Sequence, residues 1–160
     1  MDQDDLPIGV NIILLNSNDE VLLGKRIGDR RGSESWSLIG GKLKRGESIE
    51  DTAQRELKEE LGIKVAQEDI HTINFSTSID SDGTQFILVG TVVNSWQGQI
   101  KNMEPEKCSE LKFFSLDNLP ENMFYATKSN LDLFVAGLTY DPFFNTKDAD
   151  KDDFANEINE

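Results

Sequence analysis

The sequence predicts an α/β fold in which a central mixed β-sheet is sandwiched between helices, an α/β/α arrangement. Three observations carry this. Short β-rich runs bounded by turn residues recur along the chain. One segment, Ser48–Leu61, has helical periodicity with a cap at each end. A second helical segment, Thr127–Leu138, follows the last strand run.

Taken in order, Gly9–Leu15 (GVNIILL) and Val21–Lys25 (VLLGK) flank Asn16-Ser17-Asn18-Asp19, which is turn chemistry, so they read as a hairpin. A polar loop over Ile27–Ser35 leads to a short strand, Trp36–Ile39, that ends at the pair Gly40-Gly41. Ser48 with Asp51 makes a capping box, Gly62 stops the helix, and Ala53, Leu57 and Leu61 give it a buried stripe. Ile70–Ile79 and Thr84–Val93 flank Asp80-Ser81-Asp82-Gly83 as a second hairpin, and Glu110–Leu116 is a further strand. In the closing helix, Leu131, Phe134, Val135 and Leu138 have the spacing of a face packed on a sheet.

The 160 residues suit a single domain, expected over 1–145, with an acidic tail over 146–160 too poor in apolar residues to order itself. The formal charge of −14 argues against nucleic-acid polymers as partners, because phosphate backbones need a basic face. The charge is uneven, however. Seven of the 16 basic residues fall between Lys25 and Arg45, which leaves room for a small anion in a locally basic cleft. A single cysteine, Cys108, excludes an internal disulfide. The acidic start lacks a signal-peptide pattern and no apolar run approaches the ~20 residues of a membrane span, so a cytoplasmic location without membrane contact is expected.

The stretch GGKLKRGESIEDTAQRELKEELGI, Gly40 to Ile63, carries the chemistry. Positions i, i+3 and i+4 of a helix share one face, so Glu56, Glu59 and Glu60 project together. A solvated acidic face is one reading. The other is a site for a hard divalent cation, which removes the repulsion and keeps positions open for water and phosphate. Gly40 and Gly41 allow close backbone approach, and Glu47 is placed to receive Arg55.

Gly41, Glu47, Arg55, Glu56, Leu57, Glu59, Glu60, Gly62 and Ile63 fill every position of the pattern G-x5-E-x7-R-E-U-x-E-E-x-G-U, with U aliphatic. The chain thereby resembles the Nudix hydrolase family, and its box looks like that of the MutT-like nucleoside triphosphate diphosphatases. Ile39 stands where the family often has proline, a departure that touches no catalytic group. The resemblance implies Mg²⁺, or Mn²⁺ in its place, held by Glu56, Glu59, Glu60 and the Gly40 carbonyl, with Glu47 and Arg55 orienting loop and helix. It implies a small nucleotide substrate: a nucleoside triphosphate cleaved by water at phosphorus to NMP and pyrophosphate. A nucleotide-sugar or ADP-ribose hydrolase is the alternative, and a non-catalytic nucleotide-binding regulator the remote one. A homodimer is compatible with the sequence.

The family also recruits an acid from a loop before a late strand. Glu106 is favoured for it here, with Glu104 and Glu110 as alternatives. Cys108 stands where the GDP-mannose-hydrolysing branch carries a basic histidine, a role a thiol fills poorly. Arg26, Lys25 and Lys42 are candidates for substrate phosphate, with Lys44 and Arg45 nearby. Trp36, Trp96, Phe124 and Tyr125 stack on a base or belong to the core, and His71 is structural. KNMEPEKCSE and the LLGKR strand end are similar to purine-directed MutT-like enzymes, whereas FYATKSNLDLF looks closer to the GDP-mannose and pyrimidine-triphosphate branches. The base therefore stays open.

Overall fold

The computed structural model describes residues 5–80 and 82–142; the expected acidic tail, 146–160, lies outside them. Its elements are β1 (Ile8–Leu14), β2 (Glu20–Arg26), β3 (Trp36–Lys42), α1 (Ile49–Leu61), a 3₁₀ turn (Gln67–Asp69), β4 (His71–Ile79), β5 (Gln85–Val93), β6 (Cys108–Ser115) and α2 (Tyr125–Ala136). The six strands form one sheet in the order β4-β5-β1-β3-β2-β6. β1 runs parallel to β5, and the other neighbours are antiparallel, so the sheet is mixed as expected.

Strand alternation divides the core. Val10, Ile12 and Leu14 of β1 face α1, where they meet Ala53, Leu57 and Leu61, all fully buried. Ile13 faces the other way and joins Leu15, Leu23, Leu38 and Leu131 under α2. α1 is held at both ends. The Ser48 hydroxyl accepts the Asp51 N–H and the Asp51 carboxylate accepts the Ser48 N–H, each at 3.0 Å. Gly62 then stops the helix in a left-handed conformation (φ 71°), donating its N–H to the Lys58 carbonyl.

Two local expectations change. The turn after β1 forms, with the Asn16 side-chain oxygen accepting the N–H groups of Asn18 and Glu20. Yet β1 and β2 meet at a single bridge, Leu15 to Val21, because β3 inserts between them and pairs with both. β3 also continues through the glycine pair, with Gly41 opposite Val10 and Lys42 opposite Gly9. The second hairpin forms as read, from His71 opposite Val92 to Ile79 opposite Gln85.

α2 departs most from its apolar pattern. Gly137 ends it before Leu138, and both Val135 and Leu138 are exposed. Its buried face includes Thr127, Ser129 and Asn130 instead. Asn130 donates to the side chain of Asn74 (2.9 Å) and accepts from Asn11 (2.7 Å), while the hydroxyls of Ser76 and Ser129 lie 2.7 Å apart. Burial of such groups is tolerable because each has a partner. Among the described residues no buried side-chain N or O lacks one.

Candidate active site

The box is built from the end of β3, the loop after it and one face of α1. Arg55 sits at its centre. Its Nε donates to Glu47 at 2.7 Å, Nη2 to Glu47 (3.0 Å) and to the Lys42 carbonyl (2.9 Å), and Nη1 to Glu56 at 2.6 Å. Nη1 also lies 3.4 Å from Glu59. Loop and helix are thus clamped together, and Glu47 is held near pKa 2, first by the Arg55 hydrogen bonds and then by the Lys44 N–H. Besides Glu47, Arg55 thus pairs with two carboxylates of the α1 face, Glu56 and Glu59.

Glu60 is the exception. It accepts the Gly40 N–H at 3.0 Å, and no cation lies within ion-pair distance of it among the described residues. Burial, and then the neighbouring Glu56, push its carboxyl up to about pKa 8. Glu56 is raised as well, mainly by burial, with Arg55 opposing. The close approach of these carboxylates to β3 needs the glycines. A Cβ on Gly41 would overlap the Glu56 carboxylate, and one on Gly40 would overlap the Val10 carbonyl. Glu59 is half exposed. Among the described residues no three acidic, His or Cys side chains stand together as a preformed metal cage. The donor set still suits a hard cation: carboxylate oxygens of Glu56, Glu59 and Glu60 beside the Gly40 backbone, with one buried carboxylate lacking a counter-charge.

Two cavities flank this point. The larger, about 360 Å³, lies on the α2 side. It is bounded by Asn11, Gly40, Gly41, Phe86, Phe124 and Tyr125, with Lys42, Ser78 and Asp80 also reaching it. The smaller, about 40 Å³, lies between α1 and the β2–β6 edge and is reached by Glu60, Glu104, Lys25, Arg30, Lys107 and Cys108. Arg26 and Leu38 line both.

Arg26 is half-buried, its guanidinium 4.0 Å from the centre of the Phe124 ring and its Nε donating to the Arg31 carbonyl at 3.0 Å. Burial, followed by the neighbouring charge of Arg30, brings it down to about pKa 10. Lys25 pairs with Glu34 at 3.7 Å. The Lys42 ammonium lies 5.4 Å from the Phe86 ring centre. Lys44 and Arg45 border neither cavity.

Of the three acids weighed for the late loop, Glu104 reaches the carboxylates. It lines the small cavity with Glu60, whereas Glu106 and Glu110 are exposed and border neither cavity. The cause is local: the Glu104 carbonyl accepts the N–H groups of Lys107 and Cys108, a tight turn that points Glu106 outward. Phe124 and Tyr125 line the large cavity. Trp36 packs edge-on against Phe114 and Trp96 against the α1-side core. His71 is exposed at the start of β4. Arg30, Lys107 and Asp80, which the sequence offered only as parts of a polar loop, the KNMEPEKCSE segment and a hairpin turn, also reach the cavities.

Comparison with known proteins agrees with this architecture. The NUDIX domain family matches residues 5–134. A MutT NUDIX hydrolase from Burkholderia pseudomallei superposes with TM-score 0.72 at 26% identity, covering 81% of this chain and 98% of that one. A mutator MutT protein from Bacillus halodurans gives TM-score 0.64 at 28% identity over 86% and 85% of the two chains. The NAD-capped RNA hydrolase NudC of Stutzerimonas stutzeri (strain A1501) is 29% identical over 109 residues, 68% of this chain but 37% of that protein's length. No helix among the described residues is long and apolar enough to cross a membrane. With its full box folded onto β3 and a family match over most of its length, the chain is a MutT-like member of the NUDIX family.

Proposed function

We propose that the protein hydrolyses a nucleoside triphosphate by attack of water at phosphorus, releasing NMP and pyrophosphate. The observation that carries this is Glu60: a largely buried carboxylate without an ion-pair partner, beside Glu56 and bonded to the N–H of Gly40, which itself borders the cavity of about 360 Å³. Glu56, Glu59 and Glu60, with the Gly40 backbone, would hold Mg²⁺ or Mn²⁺. Such an ion neutralises a diphosphate and acidifies a coordinated water.

The chain's own residues do the positioning. Arg55 and Glu47 fix the loop after β3 against α1, so the glutamates keep their spacing relative to Gly40 and Gly41. Glu104, across the small cavity from Glu60, orients the attacking water and takes up its proton. Arg26 and Lys42 meet phosphate, with Lys25 behind them. Phe124 and Phe86 offer apolar ring faces to a base.

A second reading, cleavage of a dinucleotide such as NAD, is favoured by the similarity to a NAD-capped RNA hydrolase. The test is a panel of nucleoside triphosphates, nucleotide-sugars and dinucleotides with Mg²⁺, following phosphate after a coupling phosphatase. Triphosphates turning over fastest is the expected result. Turnover confined to dinucleotides or nucleotide-sugars overturns the first reading, and no turnover of any member overturns both.

A further inference from the structure

We propose that Asn11 selects the base: its side-chain oxygen is a fixed hydrogen-bond acceptor in the wall of the large cavity, and it favours nucleotides whose base carries an exocyclic amine. This rests on the hydrolase reading above and narrows its substrate to the amino-bearing bases, against uracil and thymine. Asn11 lies in β1, outside the box and its loop.

A buried amide network fixes that oxygen. Asn11 faces α2 and is only 7% exposed. Its Nδ2 donates to the Ala126 carbonyl at 3.0 Å and to the Asn130 side-chain oxygen at 2.7 Å. Asn130 in turn donates to the side-chain oxygen of Asn74 at 2.9 Å and to the Leu88 carbonyl at 3.2 Å. Asn74 donates to the Asn130 carbonyl at 2.9 Å. Each amide nitrogen thus meets a backbone carbonyl, which can only accept. None of the three amides can turn over without setting oxygen against oxygen. The sheet makes room for them: a Cβ on Gly90, opposite Asn74 in the ladder, would overlap Asn74 Oδ1.

The network is left open at one atom. Asn11 Oδ1 accepts from no described residue, whereas no buried side-chain oxygen among the described residues lacks a partner. Oδ1 is therefore the part of Asn11 that reaches the large cavity. A network needed only to seat α2 has no use for an open acceptor. Both hydrogens of the amide are committed, so the group presented to the cavity can accept and never donate. Thr127 lines the same cavity and gives its single hydroxyl hydrogen to the Phe124 carbonyl at 3.1 Å. The cations at this cavity are otherwise engaged. Arg26 and Lys42 lie against the Phe124 and Phe86 rings, and Arg31 donates to the Tyr125 hydroxyl at 3.0 Å.

A ligand that covers this acceptor without supplying a donor loses affinity, and one that supplies a donor is selected. Adenine, cytosine and guanine carry exocyclic amines, whereas thymine and uracil carry oxo groups in their place. An amine stands clear of the ring and can reach a single acceptor set in a wall. The ring N–H of uracil or thymine is flanked by oxo groups on both sides, so bringing it to Asn11 also brings oxygen toward oxygen. An amino-bearing base can therefore donate to Oδ1 while its ring lies against Phe124 or Phe86 in the same cavity.

The experiment reads a ratio within one preparation of the full chain, which partial unfolding cannot imitate. With Mg²⁺, kcat/KM is measured for matched pairs in which hydrogen replaces the amine: ATP and purine riboside triphosphate, GTP and ITP, CTP and 2-pyrimidinone riboside triphosphate. UTP and dTTP are run beside them. The best-used pair is expected to lose about tenfold or more when the amine is removed, and UTP and dTTP to fall below its amino member by at least as much. In Asn11→Leu the ratio within that pair should drop below about threefold. A wild-type ratio below about threefold overturns the proposal. So does UTP or dTTP as the best substrate, or a ratio that survives in Asn11→Leu. The wild-type pairs decide the matter if that variant fails to fold. Lack of turnover on every substrate would instead strike the hydrolase reading. The corresponding monophosphates, titrated calorimetrically into wild type, then put the same question without chemistry. An affinity about tenfold higher for the amino member of the best-bound pair upholds the acceptor. Equal affinity within the pair, or no heat from any monophosphate at about 10 mM, overturns it.

Discussion

Replacing Glu60 with glutamine should make the metal-free protein more stable and the enzyme nearly inactive. The carboxyl of Glu60 stands at about pKa 8 in the folded state against 4.5 for the free side chain. Between those values the folded protein binds a proton that the unfolded chain has released, so stability falls as pH rises through that window. The shift corresponds to at most about 5 kcal/mol of cost once Glu60 is ionised. Water at the partly exposed rim reduces this, and about 2 kcal/mol is the working figure. Glutamine keeps the oxygen that accepts the Gly40 N–H and carries no charge. For a domain of this size, about 2 kcal/mol is roughly 4–8 °C in melting temperature. Thermal unfolding in EDTA at about pH 8.5 should show the variant melting higher than wild type, and at about pH 4 the two should coincide. Added Mg²⁺ should reverse the order, because a ligand at about 100 times its Kd stabilises wild type by about 2.7 kcal/mol and the variant has lost a donor. A variant that melts no higher than wild type at about pH 8.5 in EDTA would refute the buried, uncompensated carboxylate.

Acid should act through Glu47 in the opposite sense: held near pKa 2 by Arg55, it stabilises the fold above about pH 4.5, and this is lost as pH falls toward 2. Glu47→Gln should flatten the melting temperature over that interval, and an unchanged slope counts against the clamp. Glu104→Gln should lower kcat by about a hundredfold or more with little change in KM, whereas Glu106→Gln should be nearly silent; the reverse ranking would return the role to Glu106. Leu57→Ala, at a fully buried position, should cost about 2–5 kcal/mol in urea unfolding; a cost below about 1 kcal/mol would show α1 packed more loosely than described. Hydrolysis in ¹⁸O-water should label a phosphate product, and Cys108→Ser should stay within about threefold of wild type, since burial raises the thiol's pKa and leaves little thiolate to accept a proton; label in a released sugar would move the chemistry to carbon.

The box was legible because its chemistry depends on spacing within one helix and one loop. Ser48, Asp51, Glu47, Arg55 and Gly62 all stand in the relations their spacing implies. The second hairpin is equally local. What the sequence hid depends on longer range. Nothing in the turn at Asn16–Asp19 says that β3 will enter between the strands it joins. The closing helix misled because its exposed apolar residues, Val135 and Leu138, outweigh Asn130 and Ser129 in any periodicity, yet the latter are buried by partners on β1 and β4. Glu104 and Glu106 are two residues apart, and only the turn closed by the Glu104 carbonyl decides which faces α1.

The insertion of β3 between β1 and β2 also fixes what this enzyme can vary. The strand that ends in Gly40 and Gly41 is laddered to neighbours along both edges, so the platform beneath the glutamates cannot shift without opening two sets of backbone hydrogen bonds. Amide exchange should be slowest there and at the core strands beside it. By contrast, the residues that border the cavities from outside the sheet, Arg30, Arg31, Glu104 and Lys107, come from connections rather than from ladders. Substrate preference is therefore separable from chemistry: exchanging the 27–35 segment can retune which nucleotide is held while the glutamates on α1 stay in register.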